Sequence, residues 1–143
     1  MVATGAWSAR ENREFLIAAL AGQPLPPWRE FLRLGRWEFR YPGGQVKAVL
    51  RFEIDWYTDC CTAGLCRQPY EVRTGVFAAW WPDGAPLARG SFARRWERIE
   101  TSCAGGDRTK RAVFGRDAEF WDQDGNPTDA SILEVAGVPL LEL

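Results

Sequence analysis

A glycine-and-aromatic pattern recurs along this chain at a nearly fixed interval and narrows the folds open to it. Residues 35–52 read G-R-W-E-F-R-Y-P-G-G-Q-V-K-A-V-L-R-F, and residues 75–92 read G-V-F-A-A-W-W-P-D-G-A-P-L-A-R-G-S-F. A looser copy, residues 115–133, reads G-R-D-A-E-F-W-D-Q-D-G-N-P-T-D-A-S-I-L. Aligned on Gly44, Gly84 and Gly125, the copies lie 40 and 41 residues apart. A fixed period makes each copy one supersecondary unit, here an aromatic-rich strand, a glycine turn and a second strand. The turns are Tyr41-Pro42-Gly43-Gly44, Trp81-Pro82-Asp83-Gly84 and Asp122-Gln123-Asp124-Gly125. Their Gly-Gly and Asp-Gly pairs supply the positive φ that tight hairpins require.

From Gly35 onward the apolar period is two. Val46, Ala48, Leu50, Phe52, Ile54 and Trp56 alternate with Lys47, Val49, Arg51, Glu53 and Asp55, the mark of a long strand with one buried face. Ala88, Gly90, Phe92 and Trp96 hold the same offsets in the second copy, interrupted by Arg94. A slip of one residue would turn every ring to the wrong face, so both copies are expected to share one register. The pattern predicts strands over 36–42, 45–57, 69–81, 86–100, 109–121 and 128–135, with an edge strand over 138–142. Joined consecutively, they make a mainly β (α+β) fold. Its centre is an antiparallel meander of six or seven strands, either an open sheet or a small barrel.

Ahead of the meander, Ser8 and Glu11 form a capping box. Phe15, Leu16, Ala18, Ala19 and Leu20 fall at helical spacing over residues 9–21, and Gly22 stops the helix. Pro24, Pro26 and Pro27 make a stiff linker. Pro27 then opens a short second helix, Trp28 to Leu34, with Phe31 and Leu34 toward the core. Residues 9–34 thus read as a helical segment packed on a meander of 35–143, in a single domain of 143 residues. A domain of that size buries a core without staples. Eight Trp and eight Phe build the core of a thin sheet and can also line a groove or a contact face.

The spacing from Gly35 to Gly44 and from Gly75 to Gly84 is nine residues in each copy. With Trp37, Tyr41, Trp80 and Trp81 at the aromatic places, this resembles the variant MORN repeats of bacterial antitoxin-like and immunity-like proteins. The resemblance covers residues 35–52 and 75–92. Residues 115–133 depart from it, with the leading glycine ten residues ahead of the turn, and a longer excursion separates the copies than is usual there. The resemblance implies a binding or neutralising protein and carries no catalytic residues over.

The chain has no histidine. That removes the commonest general base, the usual zinc ligand and any Ser–His or Cys–His nucleophile pair. Cys60, Cys61 and Cys66 lie in the excursion after the first copy and Cys103 in the excursion after the second. In a meander both excursions leave the same end of the sheet, so the four thiols converge. Three states stand open. An all-cysteine zinc site lacks the paired C-x2-C knuckles. One or two disulfides can form, with three full pairings for four cysteines. Reduced, partly buried thiols are the third. Glu53, Asp55 and Asp59 are solvated charges on the face opposite Phe52 or, in a closed barrel, an acid/base pair. The loop 122–129, D-Q-D-G-N-P-T-D, lacks the EF-hand placement of Gly and Glu and reads as an Asp-rich hairpin turn. No metal and no cofactor are expected.

A net charge of −1 argues against general nucleic-acid binding, but the charge is uneven. Residues 86–116 carry eight Lys/Arg against three acids, and residues 117–143 carry seven acids and no base. Either neighbouring strands neutralise one another across the sheet, or the basic stretch is a docking face for an acidic partner. No apolar run reaches 18 residues, so no membrane-spanning helix is expected. Without a charged-then-apolar start the chain reads as cytoplasmic, or as periplasmic or secreted if a signal peptide has been removed.

Trp and Arg dominate interface hot spots. The expected function is therefore a non-catalytic protein-binding module, and the repeat resemblance implies one of the immunity or antitoxin type, which neutralises another protein. Its expected contacts are Trp80, Trp81, Arg94, Arg95, Trp96 and Arg98, with a core role as the other reading of the rings. One alternative is an aromatic-lined barrel that binds an apolar ligand or acts as a cyclase- or isomerase-type enzyme through Glu38, Glu53 or Asp55. Another is a structural subunit that pairs through its strand edges.

Overall fold

The three hairpin corners are copies of one hydrogen-bonded turn. The Tyr41 N–H donates to the Gln45 carbonyl (2.8 Å) and the Gly44 N–H to the Tyr41 carbonyl (2.8 Å). Trp81 with Ala85 and Gly84 repeats both bonds, and so does Asp122 with Asn126 and Gly125. The closing glycines, Gly44, Gly84 and Gly125, sit at φ 93°, 88° and 83°. Each is a three-residue loop closed at positive φ, where a side chain would be strained.

Around these corners the computed structural model, which describes residues 2–5 and 32–143, forms one antiparallel sheet. Its strands are β1 (Val2–Gly5), β2 (Gly35–Arg40), β3 (Val46–Cys61), β4 (Gly64–Trp80), β5 (Pro86–Ile99), β6 (Asp107–Phe114), β7 (Glu119–Trp121) and β8 (Pro127–Thr128). They lie in the order β1-β2-β3-β4-β5-β7-β8, with β6 paired to the outer half of β5. The sheet is open, ending at β1 and β8. The barrel alternative is thereby corrected.

The repeat is also a repeat of register. Phe39 pairs with Ala48 and Ala79 with Ala88; one step on, a bulge gives Arg40 with Val46 and Trp80 with Pro86. The third copy keeps the corner pair, Trp121 with Pro127, but runs straight on to Phe120 with Thr128. Cross-strand partners then line up in rows. Phe39, Ala48, Ala79, Ala88 and Phe120 form one row over five strands, each 8% exposed or less. The adjacent row is Glu38, Val49, Ala78, Arg89 and Glu119. One residue along a strand changes the face, so the first row is the core and the second is outward. Small side chains in mid-row make room for the segment after β8, which adds Leu133, Val138, Leu140 and Leu143 to the same buried cluster.

In that segment the structure departs from the expected strands. Residues 128–135 hold the end of β8 and a short helix, α1 (Ile132–Ala136). Residues 138–142 form a turn in which the Glu142 and Leu143 N–H groups donate to the Pro139 carbonyl (2.8 and 2.9 Å). Locally, the Asp129 carboxylate takes the Ser131 N–H and hydroxyl, bending the chain out of the sheet. Gly137, at φ 65°, then ends the helix. Burial of Leu133, Val138 and Leu140 outweighs strand propensity.

The expected strand 109–121 is divided into β6 and β7. Both pair with β5, at Phe92 with Phe114 and Arg89 with Glu119, so residues 115–118 stand opposite only 90–91. In β4 the residues 75–77 likewise stand opposite Leu50 alone. Each surplus of two begins at the glycine heading a repeat, Gly75 or Gly115. A Cβ on Gly115 would meet the Ser91 carbonyl at 2.8 Å, and one on Gly90 would meet the Ala118 Cα at 2.7 Å. Neither place admits a side chain. The expected helix over 9–21 and residues 28–31 of the second helix lie outside the described residues. Residues 32–34 are not helical; Leu34 is half-buried, and its carbonyl accepts from the Trp37 indole (3.1 Å).

Candidate functional site

The outer halves of the β3–β4 and β5–β6 hairpins leave the sheet side by side, and side chains bind one to the other. The Thr58 N–H donates to Asp107 Oδ2 (2.7 Å) and the Ser102 N–H to Asp59 Oδ1 (2.8 Å). The Lys110 N–H donates to the Tyr70 hydroxyl (2.8 Å), and Lys110 Nζ lies 3.0 Å from Asp55 Oδ2. Arg94 pairs with Glu53 and donates to Thr74 Oγ1 (3.0 Å). At the tips Cys60 is bonded to Cys103 across the hairpins, Cα atoms 4.9 Å apart, and Cys61 to Cys66 within the first, 5.8 Å apart. All four cysteines are therefore disulfide-bonded.

These bonds set the local protonation. The Asp107 carboxyl lies below its ordinary value because the Thr58 and Arg108 N–H groups donate to it. Burial alone would raise Asp55. The Lys110 ammonium, the Trp56 N–H and the Tyr70 hydroxyl outweigh that, and its carboxyl also lies low. Burial, with the Asp55 charge, raises the Tyr70 hydroxyl, which keeps its proton and donates to Asp55 Oδ2 (3.3 Å).

The strapped β5–β6 hairpin displays Trp96, which is 54% exposed. Across the hairpin Trp96 pairs with Lys110, Arg98 with Arg108 and Arg95 with Arg111. By alternation Trp96, Arg98, Arg108 and Lys110 share one face, and Arg95 and Arg111 share the other. The Arg108 guanidinium carbon and Lys110 Nζ lie 5.9 and 5.5 Å from the Trp96 ring centroid, within cation–π range. Arg111 reaches Glu97 at 3.6 Å. Among the described residues the guanidinium groups of Arg95 and Arg98 have neither an ion-pair nor a hydrogen-bond partner. Sequence reasoning placed Arg94, Arg95, Trp96 and Arg98 together but missed Arg108 and Lys110. Their alternation in D-R-T-K-R was the available signal, once the hairpin register is known.

The other expected contact residues lie elsewhere. Trp80 and Trp81 sit at the second corner, ten residues or more from Trp96 in the register of β5. Trp81 is 4% exposed and its indole N–H donates to the Trp121 carbonyl (3.2 Å), so it is a core residue. Trp80 is half-buried beside a shallow groove of about 300 Å³, with Arg36, Glu38, Val46 and Val49 on its walls. Of the acids weighed for catalysis, Glu38 lies between Arg36 and Arg40, Glu53 pairs with Arg94 and Asp55 with Lys110. Asp122, in the oxygen-rich loop, accepts the Asp124 and Asn126 N–H groups (2.9 Å each). Neutralisation of residues 86–116 comes largely from β3 through Glu53 and Asp55; from residues 117–143 it comes through Glu119, 2.9 Å from Arg89. No family model, curated protein or solved structure matches the chain.

Proposed function

We propose that the chain is a non-catalytic protein-binding module of the immunity or antitoxin type, which neutralises a partner protein through the β5–β6 hairpin. The observation that carries this reading is Trp96. It is a large ring left more than half exposed on a hairpin held by two acidic straps and a disulfide. A rigid aromatic anchor loses little entropy on binding, and Trp is the residue type most enriched at hot spots. Arg98 stands beside it on the same face. The resemblance of the two registered copies to immunity-type repeats supports the same direction. Two disulfides fit a protein that matures in an oxidising compartment, periplasmic or extracellular.

The test is capture from the native host with the tagged chain and its Trp96→Ala variant, with melting temperatures measured alongside. A partner held by the wild type and lost by the variant, at a melting temperature within a few degrees, is the expected result. Equal capture by both would take Trp96 out of the contact, and a large drop in melting temperature would assign it to the fold; either removes this reading.

A further inference from the structure

The β5–β6 hairpin faces arginine with arginine at two levels, Arg98 with Arg108 and Arg95 with Arg111. Like charges directly opposite on an antiparallel pair are destabilising. At the Arg95 level the repulsion is relieved by Glu97, 3.6 Å from Arg111. At the Arg98 level it is not. Among the described residues the Arg98 guanidinium has no partner, and the Arg108 guanidinium has only the Trp96 ring, at 5.9 Å. Lys110, next to the same ring, is already matched by Asp55 at 3.0 Å, so the two arginines carry the uncompensated charge. The face therefore concentrates positive charge at a cost to its own fold. An anion between the two arginines would turn that repulsion into two attractive pairs, with bidentate geometry open to a carboxylate.

We infer that Arg98 and Arg108, with Trp96, form the receptor for an acidic segment of the partner protein. Glutamate or aspartate carboxylates seat between the two guanidinium groups, and an apolar part of the segment lies on the exposed indole. This rests on the binding-module reading and names the chemistry of the partner. It also separates stability from binding at one residue. Arg98→Glu places opposite charges across the hairpin, so it leaves the fold as stable as the wild type or more so, and it repels the partner.

The experiment uses the full, oxidised, isotope-labelled chain in NMR titrations. The probe is an eight-residue blocked peptide with glutamate at alternate positions. Controls are the glutamine counterpart and an eight-nucleotide oligothymidylate. The glutamate peptide is expected to shift the Trp96 indole N–H and the Arg98 and Arg108 side-chain N–H signals, and to weaken several-fold as salt rises. Arg98→Glu should weaken it tenfold or more with no fall in melting temperature. Three results would overturn the inference: no shift with the glutamate peptide, equal binding of the oligonucleotide at these residues, or a melting temperature lowered by Arg98→Glu. Self-association dissolved by Arg98→Glu would also overturn it, by placing a second copy's acidic segment on this face. If a captured partner is lost with Trp96→Ala but kept with Arg98→Glu, the binding module stands and the acidic receptor falls.

Discussion

Tyr41 and Trp81 occupy equivalent places at the first two corners, and each reaches forward to the next. The Tyr41 hydroxyl donates to the Trp80 carbonyl (2.7 Å), and the Trp81 indole N–H donates to the Trp121 carbonyl (3.2 Å). In both cases the acceptor is the residue just before the next corner. At the third corner the place is taken by Asp122, whose carboxylate turns inward on its own loop, so the stack ends there. Burial, and after it the Asp83 charge, raises the Tyr41 hydroxyl, which therefore remains a donor. Tyr41→Phe keeps the ring and deletes one bond, and should cost about 1 kcal/mol in urea unfolding. Trp81→Phe should cost more, because that ring is also buried and its loss of volume opens a cavity.

The acidic run of β3 has a role that belongs to the strand as a whole. Beyond Phe52, β2 no longer pairs with β3, and alternate N–H groups would face solvent as a free edge. Trp56 N–H donates to Asp55 Oδ1 (2.9 Å), Thr58 N–H to Asp107 Oδ2 (2.7 Å) and Cys60 N–H to Asp59 Oδ1 (2.8 Å). Carboxylates thus occupy the edge that another chain would use, as native sheets do to prevent pairing. This disfavours an assembly built on that edge. It also ties stability to pH. The Asp107 carboxyl is lower in the folded chain than in the unfolded one, so its contribution is complete above the ordinary carboxylate value. It drains away as pH falls below about 4. Asp107→Asn should lower stability at neutral pH and flatten its fall between about pH 5 and pH 2, read by urea unfolding at a series of pH values.

At the largest scale, the described residues form a sheet with two projecting hairpins, and the disulfides act on the projections. Cys60–Cys103 closes a separation of 43 residues and Cys61–Cys66 one of 5. Chain-entropy estimates give about 4 and about 2 kcal/mol respectively. The double variant Cys60→Ala/Cys103→Ala should therefore lose more stability than Cys61→Ala/Cys66→Ala. It should also speed amide exchange in residues 92–114, while amides in the buried row from Phe39 to Phe120 keep their protection. Exchange accelerated equally everywhere would mean that the hairpins and the sheet unfold as one unit. Four phenyl rings argue for a firm root. Phe77 and Phe92, 4.7 Å apart, and Phe114 and Phe120, 5.1 Å apart, link β4 to β7 where the second hairpin departs.

Local pattern was enough for the glycine corners, the alternation that buries Ala48, Leu50 and Phe52, and the shared register of the first two copies. Each follows from φ preference or a period of two, properties of neighbouring residues. It was also enough to bring the four cysteines to one end of the sheet, because a meander turns corners in chain order. It failed after Thr128, where the apolar spacing of Leu133, Val138 and Leu140 suits a strand as well as a helix and turn; packing against the alanine row made the choice. The pairing of the cysteines, the opposition of Arg98 and Arg108, and the split of residues 109–121 belong to the tertiary structure. The Cys60–Cys103 pairing depends on how two long hairpins lie against each other, across 40 residues of chain from Tyr70 to Lys110 and 49 from Thr58 to Asp107, and the other two depend on the register that β5 takes with β6 and β7. No local propensity reaches that far.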